Sequence, residues 1–196
     1  GLDAVFKGKA THLDVSASRH ADEKFRVDMR GTFDVKDILP GYLLDAYPLL
    51  DRVQGESEWV VSVVVPTPLP GEDTKVNLVV ASDLEGITLG FPVPLFKPAG
   101  DSWPLQLHYS LNGPTRLLDL ELAGRMFFRL EVPQGQSSVP AETMPGRALL
   151  RFGDGPSDLP SPGLIRVEGA TPALDLDGWV DLVVKSVREG NGLGGM

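Results

Sequence analysis

The sequence has no cysteine and only three histidines in 196 residues. Without thiols, disulfides, thiol nucleophiles and zinc–thiolate centres are excluded together. His12, His20 and His108 share no metal-ligand spacing, and His108 lies on the polar side of an alternating segment, where solvent is the expected partner. No metal and no cofactor is expected. Basic charge is also short: 18 Lys and Arg against 27 Asp and Glu leave a net charge of −9. That argues against nucleic acid, whose binding needs clustered cations, and against electrostatic adhesion to anionic membrane surfaces. Long hydrophobic runs are missing too. The longest, Trp59 to Val65, is interrupted by Ser62 and ends at Pro66, well below the roughly 20 residues that cross a bilayer. No signal-peptide pattern opens the chain. Gly1-Leu2-Asp3 already reads as part of a strand, so a segment of a longer protein is expected.

What the chain does have is alternation. Phe25, Val27, Met29, Gly31, Phe33 and Val35 fall on one side of a period-two pattern, with Arg26, Asp28, Arg30, Thr32 and Asp34 on the other. Leu105, Leu107, Tyr109 and Leu111 repeat it against Gln106, His108 and Ser110. Met126, Phe128, Leu130 and Val132 do so against Arg125, Arg129 and Glu131, with Phe127 the one apolar residue on the outer side. Weaker strands read at 2–8, 11–17, 57–65, 74–81, 116–123, 147–152 and 164–169, and a short one carries Ile87, Leu89 and Phe91. One-sided alternation belongs to antiparallel sheets with one covered face. Gly 22 and Pro 17, about a fifth of the chain, supply the turns.

Two stretches have helical spacing: Asp37 to Val53, limited by Pro40-Gly41 and Pro48 to one or two short helices, and Asp177 to Val187, with Asp177 as N-cap and Trp179, Leu182 and Val183 on one face. Each follows a strand, a glycine and an acidic start, a weak hint of a repeat. Residues 66–71, 133–146 and 153–163 read as connections. Residues 1–189 form one β-groove segment on this reading, and 190–196 a disordered tail.

Catalytic patterns are missing. The serines of Gly55-Glu56-Ser57-Glu58 and Gly135-Gln136-Ser137-Ser138 lack a nucleophile elbow. Asp83 and Glu85 read as a turn cap and a solvated carboxylate, not as a catalytic pair. No enzyme is expected. Trp59, Trp103 and Trp179 read as core anchors. Nine strands of about six residues present an apolar face of roughly 850 Å², and a twelve-residue helix shades roughly 180 Å² of it. The remainder exceeds what an idle surface exposes. Either the sheet folds on itself as a dry β-sandwich, a spacer or interaction module without ligand, or it curls into a trough for apolar ligands.

Several motifs occur together: Tyr47-Pro48-Leu49-Leu50; Gly55-Glu56-Ser57-Glu58-Trp59; Ser82-Asp83-Leu84-Glu85-Gly86; Phe91-Pro92-Val93-Pro94-Leu95-Phe96-Lys97-Pro98-Ala99; and Leu174-Asp175-Leu176-Asp177-Gly178-Trp179. In this order, over most of residues 25–185, they resemble the periplasmic region of YhdP-like proteins of the AsmA superfamily; residues 133–163 match little. The resemblance implies a mainly β protein with a curved antiparallel sheet, a taco-like groove or open half-barrel. It also implies an inner-membrane-anchored periplasmic protein of Gram-negative bacteria that conducts phospholipid between inner and outer membranes and maintains the outer-membrane barrier. The partners implied are a phospholipid or other acyl-chain ligand and neighbouring segments of the same chain, with membrane contact only through parts outside this segment. Candidate groove residues are Phe25, Val27, Met29, Phe33, Leu105, Leu107, Tyr109, Leu111, Met126, Phe128 and Leu130. Trp59, Ser82, Asp83, Gly86, Pro92, Pro94, Lys97 and Trp179 carry the motifs and are expected to be structural.

Overall fold

The computed structural model describes residues 1–16, 25–38, 48–65, 76–110, 112–113, 115–133, 146–153, 155 and 157–190. Twelve strands follow in chain order: β1 (Leu2–Phe6), β2 (Lys9–Ser16), β3 (Phe25–Asp34), β4 (Val53–Val65), β5 (Asn77–Ser82), β6 (Ile87–Gly90), β7 (Phe96–Lys97), β8 (Leu105–Ser110), β9 (Thr115–Leu122), β10 (Met126–Pro133), β11 (Arg147–Phe152) and β12 (Ile165–Gly169). Two helices, α1 (Val35–Ile38) and α2 (Leu176–Gly190), and a 3₁₀ turn at Pro48–Arg52 complete the described elements.

Ten of the strands form an open sheet in the order β1-β2-β3-β4-β5-β8-β9-β10-β11-β12, with β6 and β7 paired off the lower part of β4. The sheet is nearly a meander: strands that follow one another along the main path are neighbours, and three of their connections, 7–8, 111–114 and 123–125, are tight. Lys7 and Gly8, both at positive φ, make a two-residue hairpin turn between β1 and β2. One departure from the expected antiparallel order is β12, which pairs parallel to β11. Residues 153–164 connect them, and a connection of that length returns the chain to the start of its neighbour, as a parallel pair requires.

Of the one or two short helices expected at about 37–53, the described residues hold α1, which ends at Ile38, and the Pro48–Arg52 3₁₀ turn before β4; residues 39–47 lie outside the described residues. Val53 is already strand, because the backbone pairs Val53 with Leu89 and buries its side chain in the core. The second helix starts one residue earlier than expected and includes Gly190, which the expected tail had claimed; residues 191–196 lie outside the described residues. Its cap is Asp175, not Asp177. The Asp175 Oδ1 accepts from the Gly178 amide at 3.0 Å, satisfying one of the free N–H groups of the first turn.

The core sits at one end of the sheet. Residues 83–104 fold back over the ends of β4, β8 and β9, and Leu84, Ile87, Leu89, Leu95 and Trp103 pack against Phe33, Val53, Trp59, Val80 and Leu122. A reciprocal glycine contact allows this approach. A Cβ on Gly55 would lie 2.2 Å from the Gly86 carbonyl oxygen, and one on Gly86 would lie 2.2 Å from that of Glu56.

Candidate functional site

Register across the sheet sorts the side chains into two faces. Residues directly opposite each other share a face, so each transverse row can be followed from strand to strand. One row runs Gly31, Trp59, Ser82, Leu105, Leu122, Met126, Phe152. The next runs Leu13, Met29, Val61, Val80, Leu107, Leu120, Phe128, Leu150 and Val167. A third runs Val15, Val27, Val63, Leu78, Tyr109, Leu118, Leu130, Ala148 and Ile165. Beyond it, Phe25 pairs with Val65 and Arg116 with Val132. A single apolar wall therefore crosses the sheet.

The opposite face carries matched charges around two buried apolar residues, Phe127 and Leu149. Arg129 makes a two-bond contact with Asp119 at 2.6 and 2.7 Å, and Arg147 does the same with Glu131 at 3.1 and 3.0 Å. Arg26 bonds Asp28 at 2.8 Å, and Ser62 donates to the same carboxylate. Burial pushes the Asp28 carboxyl up, but the Ser62 hydroxyl and Arg26 outweigh it and hold the group below its ordinary value. A depression of about 520 Å³ on this side is lined by Arg26, Asn77, His108, Ser110 and Asp119 among others.

The apolar face is closed at one end and bare at the other. At the closed end, Trp59 donates from Nε1 to the Phe33 carbonyl at 3.0 Å. Trp103 sits under Arg125, whose guanidinium carbon is 4.3 Å from the ring centroid. Trp179 stacks on Phe91, meets Phe152 edge-on and donates to the Val93 carbonyl at 3.0 Å. Ser82 Oγ bridges Glu58 and Leu84, while Asp83 Oδ1 accepts from the Glu85 amide at 2.9 Å, the turn cap its position implies. Pro92 and the cis-linked Pro94 form a turn closed by the Leu95 amide. Lys97 is fully enclosed, and its Nζ donates to the carbonyls of Leu84, Ile87 and Pro98 at 2.8, 2.7 and 3.1 Å. Burial pushes its ammonium pKa down. The motif residues thus build the closed end.

The candidate groove residues divide accordingly. Phe33 has no exposed surface and meets Phe6 edge-on at 5.7 Å, so it belongs to the core and not to a groove lining. Met29, Leu105, Leu107 and Met126 pack partly against that core. Phe25, Val27, Tyr109, Phe128 and Leu130 lie on the part of the face outside it, and Leu111 lies outside the described residues. Sequence reasoning passed over Val63, Leu118, Leu150 and Val167 on the same face. Leu118, Leu120 and Leu122 alternate with Asp119 and Glu121, a readable signal. Val60 to Val65 carry valines on both sides of β4, so only register assigns them.

One open sheet, apolar on one side and ion-paired on the other, with a covering segment at one end, defines a mainly β protein that is not closed into a barrel. The chain belongs to the YhdP family: that family's model, described as YhdP protein, matches residues 1–194. No curated protein and no solved structure matches the chain.

Proposed function

We propose that this chain is a segment of a lipid-binding β-groove in the periplasm, part of an inner-membrane-anchored protein that moves phospholipid toward the outer membrane and maintains its barrier. Membership of the YhdP family supports a role of the AsmA-like lipid-transport kind. The observation that carries the reading is the uncovered part of the apolar face. The third row, carried by nine strands from β2 to β12 spaced about 4.8 Å apart, with Phe25, Val65 and Val132 beyond it, offers roughly 300 Å² of wall. Its residues include Val132 at 38% and Ile165 at 78% exposure. Patches of this size on a soluble surface mark a binding site. A ligand-free spacer would need a second sheet there, and among the described residues the strands off the main path are β6 and β7, at the closed end.

Binding on this reading involves no chemistry. Each methylene transferred from water to the wall contributes about 0.8 kcal/mol, and a lipid shifts from strand to strand at little cost because neighbouring rows are alike. The test is organic extraction of the purified chain followed by mass spectrometry, with a fluorescent phospholipid titration beside it. Co-purified lipid and saturable probe binding are expected. Absence of both removes the reading.

A further inference from the structure

The bare part of the wall is long in one direction and narrow in the other. In the second row, Met29, Val61, Val80, Leu107 and Leu120 belong to the core or pack against it. In the third row, the seven residues from Val15 on β2 to Leu130 on β10 are all exposed or half-buried. Of these, only Leu78 packs against the core. The run stops at Ala148 on β11, which is buried. Strands about 4.8 Å apart make it roughly 29 Å long, whereas along the strands it is one row wide, about 7 Å. Phe25, Val65 and Val132 widen it to about 13 Å on their own strands. The row is also the denser direction, since same-face neighbours within one strand stand about 6.6 Å apart.

We infer that this strip takes unbranched acyl chains in single file, each lying across the strands and not along them. This rests on the lipid-groove reading above and adds the class of chain and its axis. One leaflet's share of a bilayer core about 30 Å thick, roughly 15 Å, is what a membrane acyl chain spans. Laid across the strands, such a chain stays on the bare run from end to end. Laid along a strand, it would leave the bare strip within about 7 to 13 Å and meet second-row side chains that the core already holds. A strip one row wide leaves no wall beside the first chain, so the second chain of a diacyl lipid lies over it, on the side turned to water. Tyr109 is the one member of the run with a polar side-chain atom, and it offers an apolar ring behind its hydroxyl. A chain laid this way passes from strand to strand by sliding along its own axis.

Two measurements on the full chain test it. First, lysophosphatidylcholines with chains of about 8 to about 18 carbons, a range that brackets the membrane chain, displace a fluorescent acyl probe from wild type, each below its micelle concentration. Affinity should rise about fourfold for every two carbons through the whole series, since about half of each methylene meets the wall. A rise that levels off near about ten carbons, at roughly one ångström per carbon, means that chains run along the strands. That result overturns this inference and leaves the groove reading standing. If no member of the series binds, the groove reading falls and takes this inference with it. Second, Tyr109→Asn breaks the run at β8. It should weaken a lipid of about 16 carbons by about tenfold and one of about 8 carbons by less than about twofold, because the short chain still finds unbroken wall from β2 to β5. Equal losses for the two lengths, in a variant whose circular dichroism matches wild type, overturn the single-file assignment.

Discussion

The two ends of the apolar face are written in the same residues and reach opposite fates. Leu122 and Val132, on neighbouring strands and the same face, are 3% and 38% exposed. Alternation in the sequence treats them alike. The difference is made by residues 83–104, which spend Leu84, Ile87, Leu89, Leu95 and Trp103 on covering one end and have no counterpart among the described residues at the other. A sheet of this kind becomes core or binding surface according to what is laid over it, and here the covering segment is short.

The comparison breaks most sharply at the glycines that let the cover close. Gly86 has φ +92° and Gly55 φ +109°, and each faces the other strand's carbonyl at a distance no Cβ can occupy. Left-handed backbone alone costs a non-glycine residue about 1–3 kcal/mol, and the clash adds to it. Gly86→Val is expected to lower unfolding free energy by about 3 kcal/mol or more and to remove the near-ultraviolet tryptophan signal. Next in size is Lys97→Met, which keeps the volume but leaves the Leu84, Ile87 and Pro98 carbonyls without their donor. Buried unpaired groups cost about 1–3 kcal/mol each, so a loss of about 3 kcal/mol in denaturant titration is expected. Its pH dependence has a sign. The folded protein holds the Lys97 ammonium below its ordinary 10.5, so between that lowered value and 10.5 the unfolded chain binds more protons and stability rises with pH. Lys97→Met should lack that rise.

The bare end should behave in the opposite way. Phe25 and Val132 are each more than a third exposed, so Phe25→Ser and Val132→Ser should change stability by no more than about 0.5 kcal/mol. Phospholipid-probe affinity should nevertheless fall severalfold, since each buried methylene removed forfeits about 0.8 kcal/mol. If both stability and binding are unmoved, the bare end is not where lipid sits.

How much of this was legible beforehand follows from the same contrast. β3, β8 and β10 alternate cleanly, so their strands and their apolar sides could be read directly. Antiparallel pairing was readable from one-sided alternation, whereas the parallel pairing of β12 depends on where residues 153–164 return the chain. At 37–53 the spacing pointed to short helical pieces, and the described Pro48–Arg52 turn is one, ending where Val53 pairs with Leu89. Phe33 was indistinguishable from Phe25 by pattern, and only the packing of Phe6 and residues 83–104 separates a core residue from a wall residue. Lys97 was legible as a motif member and not as a buried cation, because nothing local reveals three converging carbonyls.

The smallest expected effect is on the polar side, which sharpens the contrast between faces. There the sheet is held by matched charges, and Asp28 is the carboxylate whose ionised form the fold favours, through Ser62 and Arg26 against the cost of burial. Because its folded pKa lies below the ordinary 3.8, its contribution is present above 3.8 and is lost as pH falls through the lower, folded value. Asp28→Asn should therefore cost about 1 kcal/mol at neutral pH, and the gap from wild type should close on acidification below that value. Phospholipid binding at neutral pH should not change, because Asp28 faces away from the apolar wall. A variant that lost lipid in proportion to stability would mean that the two faces are not independent, and that the wall's shape is set by the ion pairs behind it.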